Sequence, residues 1–133
     1  MNPSQHVFGR ASGDRTCKVS TALFVSAISC KLAREAILRE YGADEFLVED
    51  GAIANRVHIP GKSGLYDNVL ELVGTVILRD SLRCQRPGGI ACITGAVGHA
   101  WAINGFGPFE YILSTTKLTI YSSGIPEFFR CPD

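Results

Sequence analysis

The sequence has no net charge, no closely paired cysteines, no histidines spaced to share a metal, and no apolar run long enough to cross a membrane. Thirteen Lys and Arg balance thirteen Asp and Glu. There is thus no electrostatic case for nucleic acid or an anionic membrane, and small molecules and protein partners remain. The five cysteines, Cys17, Cys30, Cys84, Cys92 and Cys131, are odd in number and contain no CxxC pair. That excludes a disulfide framework or a zinc knuckle and points to buried free thiols in a reducing cytosol. His6, His58 and His99 show no HxxxH spacing and lie apart from any cysteine cluster, so no metal site is expected. The longest apolar stretch, Ala22–Cys30, is broken by Ser26 and Ser29 and falls short of the roughly 20 residues of a membrane span. Arg10, Arg15 and Lys18 ahead of it mimic a secretory signal, but no small-residue cleavage site follows. No Ser/His/Asp triad or paired-carboxylate site is evident either.

What is there reads as one α/β domain of 133 residues, with 46% hydrophobic and 20% charged residues. Its most legible stretch is Tyr66–Gly95, YDNVLELVGTVILRDSLRCQRPGGIACITG. Tyr66–Val73 is apolar at Val69, Leu70, Leu72 and Val73 and predicts a strand buried on both faces, ended by Gly74. Thr75 then caps a helix that buries Leu78 and Leu82 and turns Arg79, Asp80 and Arg83 to water. Arg86-Pro87-Gly88-Gly89 stops that helix, and a second apolar strand, Ile90–Thr94, ends at Gly95. Strand, helix and strand make a parallel βαβ unit with a right-handed crossover. Ligands of such sheets bind beyond the carboxyl ends of the strands, where strand order reverses. Here those ends are Val73-Gly74 and Thr94-Gly95-Ala96, each with a small residue that permits close backbone approach.

Outside this unit, Leu23–Ser29 predicts a strand and Lys31–Tyr41 a helix. That helix carries Ala33, Ile37 and Tyr41 along one face, a Glu35–Arg39 pair and a closing Gly42. Phe46–Val48 predicts a short strand turned by Glu49-Asp50-Gly51, and Ala52–Val57 a short helix. Phe109–Leu113 predicts another short helix. Aromatics around it either line a ligand pocket or pack beneath a long connection, the second being favoured. Tyr111 has no lysine four residues on, so a Tyr-xxx-Lys arrangement is absent. Lys117–Ser122 predicts a final strand at the sheet edge, where unpaired backbone invites a second chain.

The segments YDNVLELVGT, SLRCQRPGGI and CITGAVG, in that order and spacing, resemble the nucleotide-binding half of medium-chain dehydrogenase/reductases. Within them the likeness is to the quinone-oxidoreductase-like, zinc-type alcohol dehydrogenase group. EAILREYGADEFLVEDG upstream and FGPFEYI and KLTIYSSG downstream agree, so the resemblance runs from about Ala27 to Gly124. It implies a Rossmann-like, doubly wound, mostly parallel sheet with helices on both faces, over residues 23–133.

Residues 1–22 depart from the pattern. Gln5–Phe8 would be the first strand and Gly9–Gly13 the phosphate turn, with Gly9 and Gly13 as weak contacts. An irregular arm is the alternative, since Asp14 brings negative charge and residues 14–21 form a poor helix. Because that strand lies at the centre of such a sheet, a distorted strand or a partly open sheet is expected. The resemblance also places the Ser29-Cys30-Lys31 turn at the adenine ribose. Ser29, Lys31 and Arg34, with no acid before Glu35, then favour NADPH over NADH, unless the two cations merely solvate a helix face. Val73 and Gly74 would flank the adenosine side, and Gly95 and Ala96 the nicotinamide.

Relatives of the group join their terminal strands across a two-fold axis, which implies a homodimer through Lys117–Ser122. A whole enzyme of the group has an additional amino-terminal, barrel-like domain that carries substrate contacts and, where present, zinc. This chain is expected to lack it and to be a cytoplasmic cofactor-binding module without complete catalytic machinery. The alternative is a fold remnant that dimerises and binds no nucleotide.

Overall fold

The computed structural model describes residues 6–10 (backbone only), 24–57, 65–95 and 100–121. Six strands form one sheet: β1 His6–Arg10, β2 Phe24–Ser29, β3 Glu45–Val48, β4 Tyr66–Glu71, β5 Gln85–Ile93 and β6 Lys117–Ile120. Their order is β3-β2-β1-β4-β5-β6, and every neighbouring pair is parallel. Among the described residues three α-helices accompany them: α1 Glu35–Glu40, α2 Leu78–Arg83 and α3 Pro108–Tyr111.

A parallel sheet must be covered on both faces, and β2 shows how this chain does it. Consecutive strand residues point to opposite faces. Ala27 joins Leu38 of α1 and Ala43 in one core, whereas Ile28 joins Ile53, Val69, Leu78, Leu82 and Ala91 in the other. The helices α1 and α2 therefore cover opposite faces.

The centre of the sheet, where a distorted strand or a partly open sheet was expected, is closed. β1 pairs with β2 from His6↔Phe24 to Arg10↔Ile28 and with β4 from Val7↔Asn68 to Arg10↔Glu71. Gly9, expected to open a loop, is a strand residue opposite Ala27 and Leu70. The proposed turn beyond it, including Gly13, lies outside the described residues, as does Ala96.

Several local expectations are corrected. The segment after Lys31 begins as a 3₁₀ turn, Leu32–Arg34, before α1. That tighter turn shifts the helical phase. Leu38 becomes the buried residue of α1, and Ile37 and Tyr41, expected on the buried face, are exposed. The Glu35–Arg39 pair does form, at 2.8 Å, and Gly42 ends the helix with φ 102°.

Thr75 does not cap α2; its hydroxyl donates to the Ala100 carbonyl at 2.7 Å, tying down the loop after β5. Asp80 does not simply face water. Its carboxylate accepts the Ile53 and Ala54 amides at 2.9 and 3.1 Å, which fixes the 3₁₀ turn Ile53–Asn55 against α2.

Helix α2 stops at Cys84, and Arg86-Pro87-Gly88-Gly89 lies within β5 instead of before it. Two steps along β4, from Tyr66 to Asn68, match five along β5, from Gln85 to Ile90. This is a bulge, where a strand tolerates proline. A side chain at Gly89 would lie 2.9 Å from the Arg86 carbonyl and 3.1 Å from that of Asp67. The glycine thus serves strand contact.

The aromatics after β5 are not uniformly buried either. Tyr111 packs on the larger core, 4.8 Å from the Phe106 ring and beneath the Arg79 guanidinium. Trp101 and Phe109 are exposed.

Candidate functional site

With this strand order the chain reverses direction of winding between β1 and β4, so the crevice lies beyond Arg10 and Glu71, flanked by the ends of β2 and β5.

On the β2 side, Ser29 is buried. Its hydroxyl oxygen accepts the Lys31 amide at 3.3 Å and its carbonyl accepts the Glu49 amide at 3.0 Å. Those bonds fold the turn back and leave Cys30 and Lys31 exposed. The Arg34 amide donates to the Lys31 carbonyl at 3.1 Å, so the two cations stand on one 3₁₀ turn. Neither meets a carboxylate among the described residues, and nearby Glu35 is held by Arg39. The predicted pair is thus brought together with its charge unneutralised. The next strand end is closed by side chains onto its own backbone. Glu49 accepts the Gly51 amide, and Asp50 accepts the Ala52 amide, which holds the Asp50 carboxyl below its ordinary value of 3.8.

The β4 side is organised by a residue that the strand's apolar pattern concealed. Glu71, the last residue of β4, is completely buried. One carboxylate oxygen accepts the amides of Val73 and Gly74 at 2.8 and 3.1 Å, and the other accepts the hydroxyl of Ser81 on α2. The Glu71 carbonyl accepts the Thr94 amide at 2.9 Å, joining the ends of β4 and β5. The available signal was the one carboxylate within the apolar run Val69–Val73, because such a charge is buried only when its oxygens are satisfied.

Both strand-end glycines have internal reasons to be glycine. Gly74 has φ 103°, in the region that side chains resist. A Cβ on Gly95 would lie 2.4 Å from the Leu72 carbonyl oxygen.

A second buried network lies at the opposite, amino end of the sheet. The Tyr66 hydroxyl donates to Ser26 Oγ at 2.6 Å, and Ser26 donates to Glu45 Oε2 at 2.6 Å. Burial, reinforced by the negative Glu45, pushes the Tyr66 phenol well above its ordinary value. This network is remote from the crevice. Burial also raises the Cys92 thiol. Among the described residues no cluster could hold a metal, and no helix is long and apolar enough to cross a membrane. Lys31 and Arg34 stand on the turn at the β2 end of the crevice. The one hydroxyl–carboxylate contact beside it, Ser81–Glu71, is sealed in the core.

No protein-family profile and no curated protein sequence matches the chain. Solved structures do. A quinone oxidoreductase from Pseudomonas syringae pv. Tomato DC3000 superposes with TM-score 0.73 at 15% identity, over 92% of this chain and 39% of that one. A 2-haloacrylate reductase gives TM-score 0.73 at 18% identity, over 90% and 39%. The YhdH oxidoreductase from Salmonella enterica, solved in complex with NADP, gives 0.66 at 21% identity, over 94% and 40%. The chain shares their fold. It spans 35% to 40% of the length of the structures it matches. The doubly wound sheet implied by the sequence resemblance is thus present, with its first strand in place.

Proposed function

We propose that the chain is an NADPH-binding module resembling quinone and enone oxidoreductases, without complete catalytic machinery of its own. The observation that carries this reading is the strand order β3-β2-β1-β4-β5-β6, which opens a crevice at the ends of β1 and β4. Two cations that meet no carboxylate among the described residues, Lys31 and Arg34, flank it on one turn. They suit the additional ribose phosphate of NADPH, a role for which guanidinium and ammonium groups are chemically fitted. The fold-sharing oxidoreductase solved with NADP supports the same choice.

Lys31 and Arg34 would hold the ribose phosphate, with Ser29 shaping the turn through its bond to the Lys31 amide. Val73 and Gly74, whose amides are engaged by Glu71, would contribute surface on the adenosine side. Gly95 and Ala96 would face the nicotinamide, and Gly9 and Gly13 would lie nearest the diphosphate. Hydride transfer is chemistry of the nicotinamide, to which protein adds position and electrostatics. Substrate contacts belong, in this reading, to residues outside this domain, and the setting is the cytoplasm. The edge strand read from the sequence at Lys117–Ser122, of which β6 covers Lys117–Ile120, is assigned to a homodimer contact.

Titration of the full chain with NADPH and NADH, followed by cofactor fluorescence or calorimetric heat, tests the reading. Saturable NADPH binding tighter than NADH is expected, and no saturation at about millimolar NADPH would reject it. Lys31→Glu is expected to weaken NADPH by about tenfold or more and NADH much less. Equal losses would argue against a phosphate contact. The second reading, a dimerising protein that binds no nucleotide, is favoured by Gly74 and Gly95, whose lack of side chain the chain's own backbone already explains. It predicts failure of both titrations.

A further inference from the structure

We infer that Glu71 is a positioning residue for the crevice, one that draws the β4–α2 loop inward and removes two backbone donors from the ligand's reach. This inference rests on the nucleotide reading above and adds what fixes the backbone at the β4 end of the crevice.

Successive unpartnered backbone amides in a turn are a resource for anion binding, because together they form a concave array of donors. Here that resource is consumed. The Val73 and Gly74 amides both end on a single oxygen of Glu71, at 2.8 and 3.1 Å, and Gly74 is itself buried. The second oxygen is anchored to Ser81, so the carboxylate cannot swing away without breaking its bond to α2. Backbone bonds reinforce the same point, with Thr94 held on the Glu71 carbonyl and the Leu72 carbonyl pressed against Gly95.

One buried side chain therefore sets the height of the crevice floor where β4, β5 and α2 meet. A phosphate placed there would find no donor from Val73 or Gly74 and would approach a carboxylate from behind its screen of amides. On the β2 side, Lys31 and Arg34 are exposed or half-exposed and meet no carboxylate among the described residues. The β4 end is left to the uncharged parts of the ligand.

Geometry separates hydrogen bonding from charge. In Glu71→Gln the amide oxygen accepts the same two N–H groups and the amide nitrogen donates to Ser81 Oγ, so the floor is retained. In Glu71→Asp the side chain is one methylene shorter and cannot span from Ser81 to both amides.

The experiment measures amide hydrogen exchange at Val73 and Gly74 and NADPH affinity on the full chain for both variants. Expected are protection and affinity within about threefold of wild type for Glu71→Gln. For Glu71→Asp, exchange at these two amides should be at least about tenfold faster, with Thr94 still protected and NADPH bound about tenfold more weakly. Unchanged NADPH affinity in Glu71→Asp despite faster exchange would overturn the positioning role while leaving the nucleotide reading intact. An equally weakened Glu71→Gln would overturn the hydrogen-bond account. Absence of NADPH binding by the wild type would overturn the nucleotide reading and this inference with it. If Glu71→Asp does not fold, Ser81→Ala removes the second anchor alone. A loss of about threefold in both readouts supports the inference, and no change in either overturns it.

Discussion

Tyr66 illustrates how a single side chain couples burial to pH. Its ring is fully buried and its hydroxyl bonds Ser26 and lies 3.3 Å from Glu45 Oε2, so ionising it would place a second negative charge in the core. Its pKa is raised above the unfolded value of 10.0. The stabilisation is therefore complete below about pH 10 and declines as pH rises further, because the unfolded chain loses a proton that the folded chain keeps, at up to about 1.4 kcal/mol per pH unit. Tyr66→Phe should cost about 1 kcal/mol at neutral pH through loss of the hydroxyl bonds, and should remove that part of the alkaline decline. Urea midpoints for both proteins from about pH 8 to pH 11 check this. Parallel alkaline curves would show that Tyr66 ionises freely.

At the scale of elements, the ends of β4 and β5 are locked together more tightly than their short sequence suggests. Gly95→Ala would force a methyl against the Leu72 carbonyl and should destabilise by about 1–3 kcal/mol, measured by denaturant unfolding. A stability equal to wild type would mean that this close approach is relaxed in solution.

The same region shows what the sequence discloses and what it hides. The βαβ order was legible because Val69, Leu70, Ile90 and Ala91 make apolar runs around an amphipathic α2. The bulge was not. Arg86-Pro87-Gly88-Gly89 has the composition of a helix stop, and only the close packing of Gly89 on the β4 carbonyls shows that it is strand. β1 was legible only in part: Gln5–Phe8 could be read as a first strand or as an irregular arm, since HVFGR is too short to show period. It is specified by partners on both sides rather than by its own pattern. At the candidate site, Ser29, Lys31 and Arg34 were readable as a turn after a strand. The role of Glu71 depends on contacts with Ser81, ten residues away, that no local window contains.

For the whole molecule, the sheet ends at β6, whose Ile120 and the following Tyr121 are 72% and 60% exposed. An edge of this kind, apolar and unpaired among the described residues, is a surface on which a second strand can add. If two copies meet there, light scattering coupled to size exclusion should give a dimer mass, and Ile120→Lys should shift it to monomer without loss of fold. A monomer for the wild type would remove the edge contact from the account.

The central claim is that a dinucleotide lies across the carboxyl ends of this parallel sheet. Chemical-shift mapping of the full chain with NADPH tests it most directly. The account predicts saturable shifts confined to Cys30, Lys31, Arg34 and the residues around Gly74 and Gly95, with Glu45, Tyr66 and Gln85 at the other end of the strands unmoved. Shifts centred on that other end, or none at saturating cofactor, would contradict it.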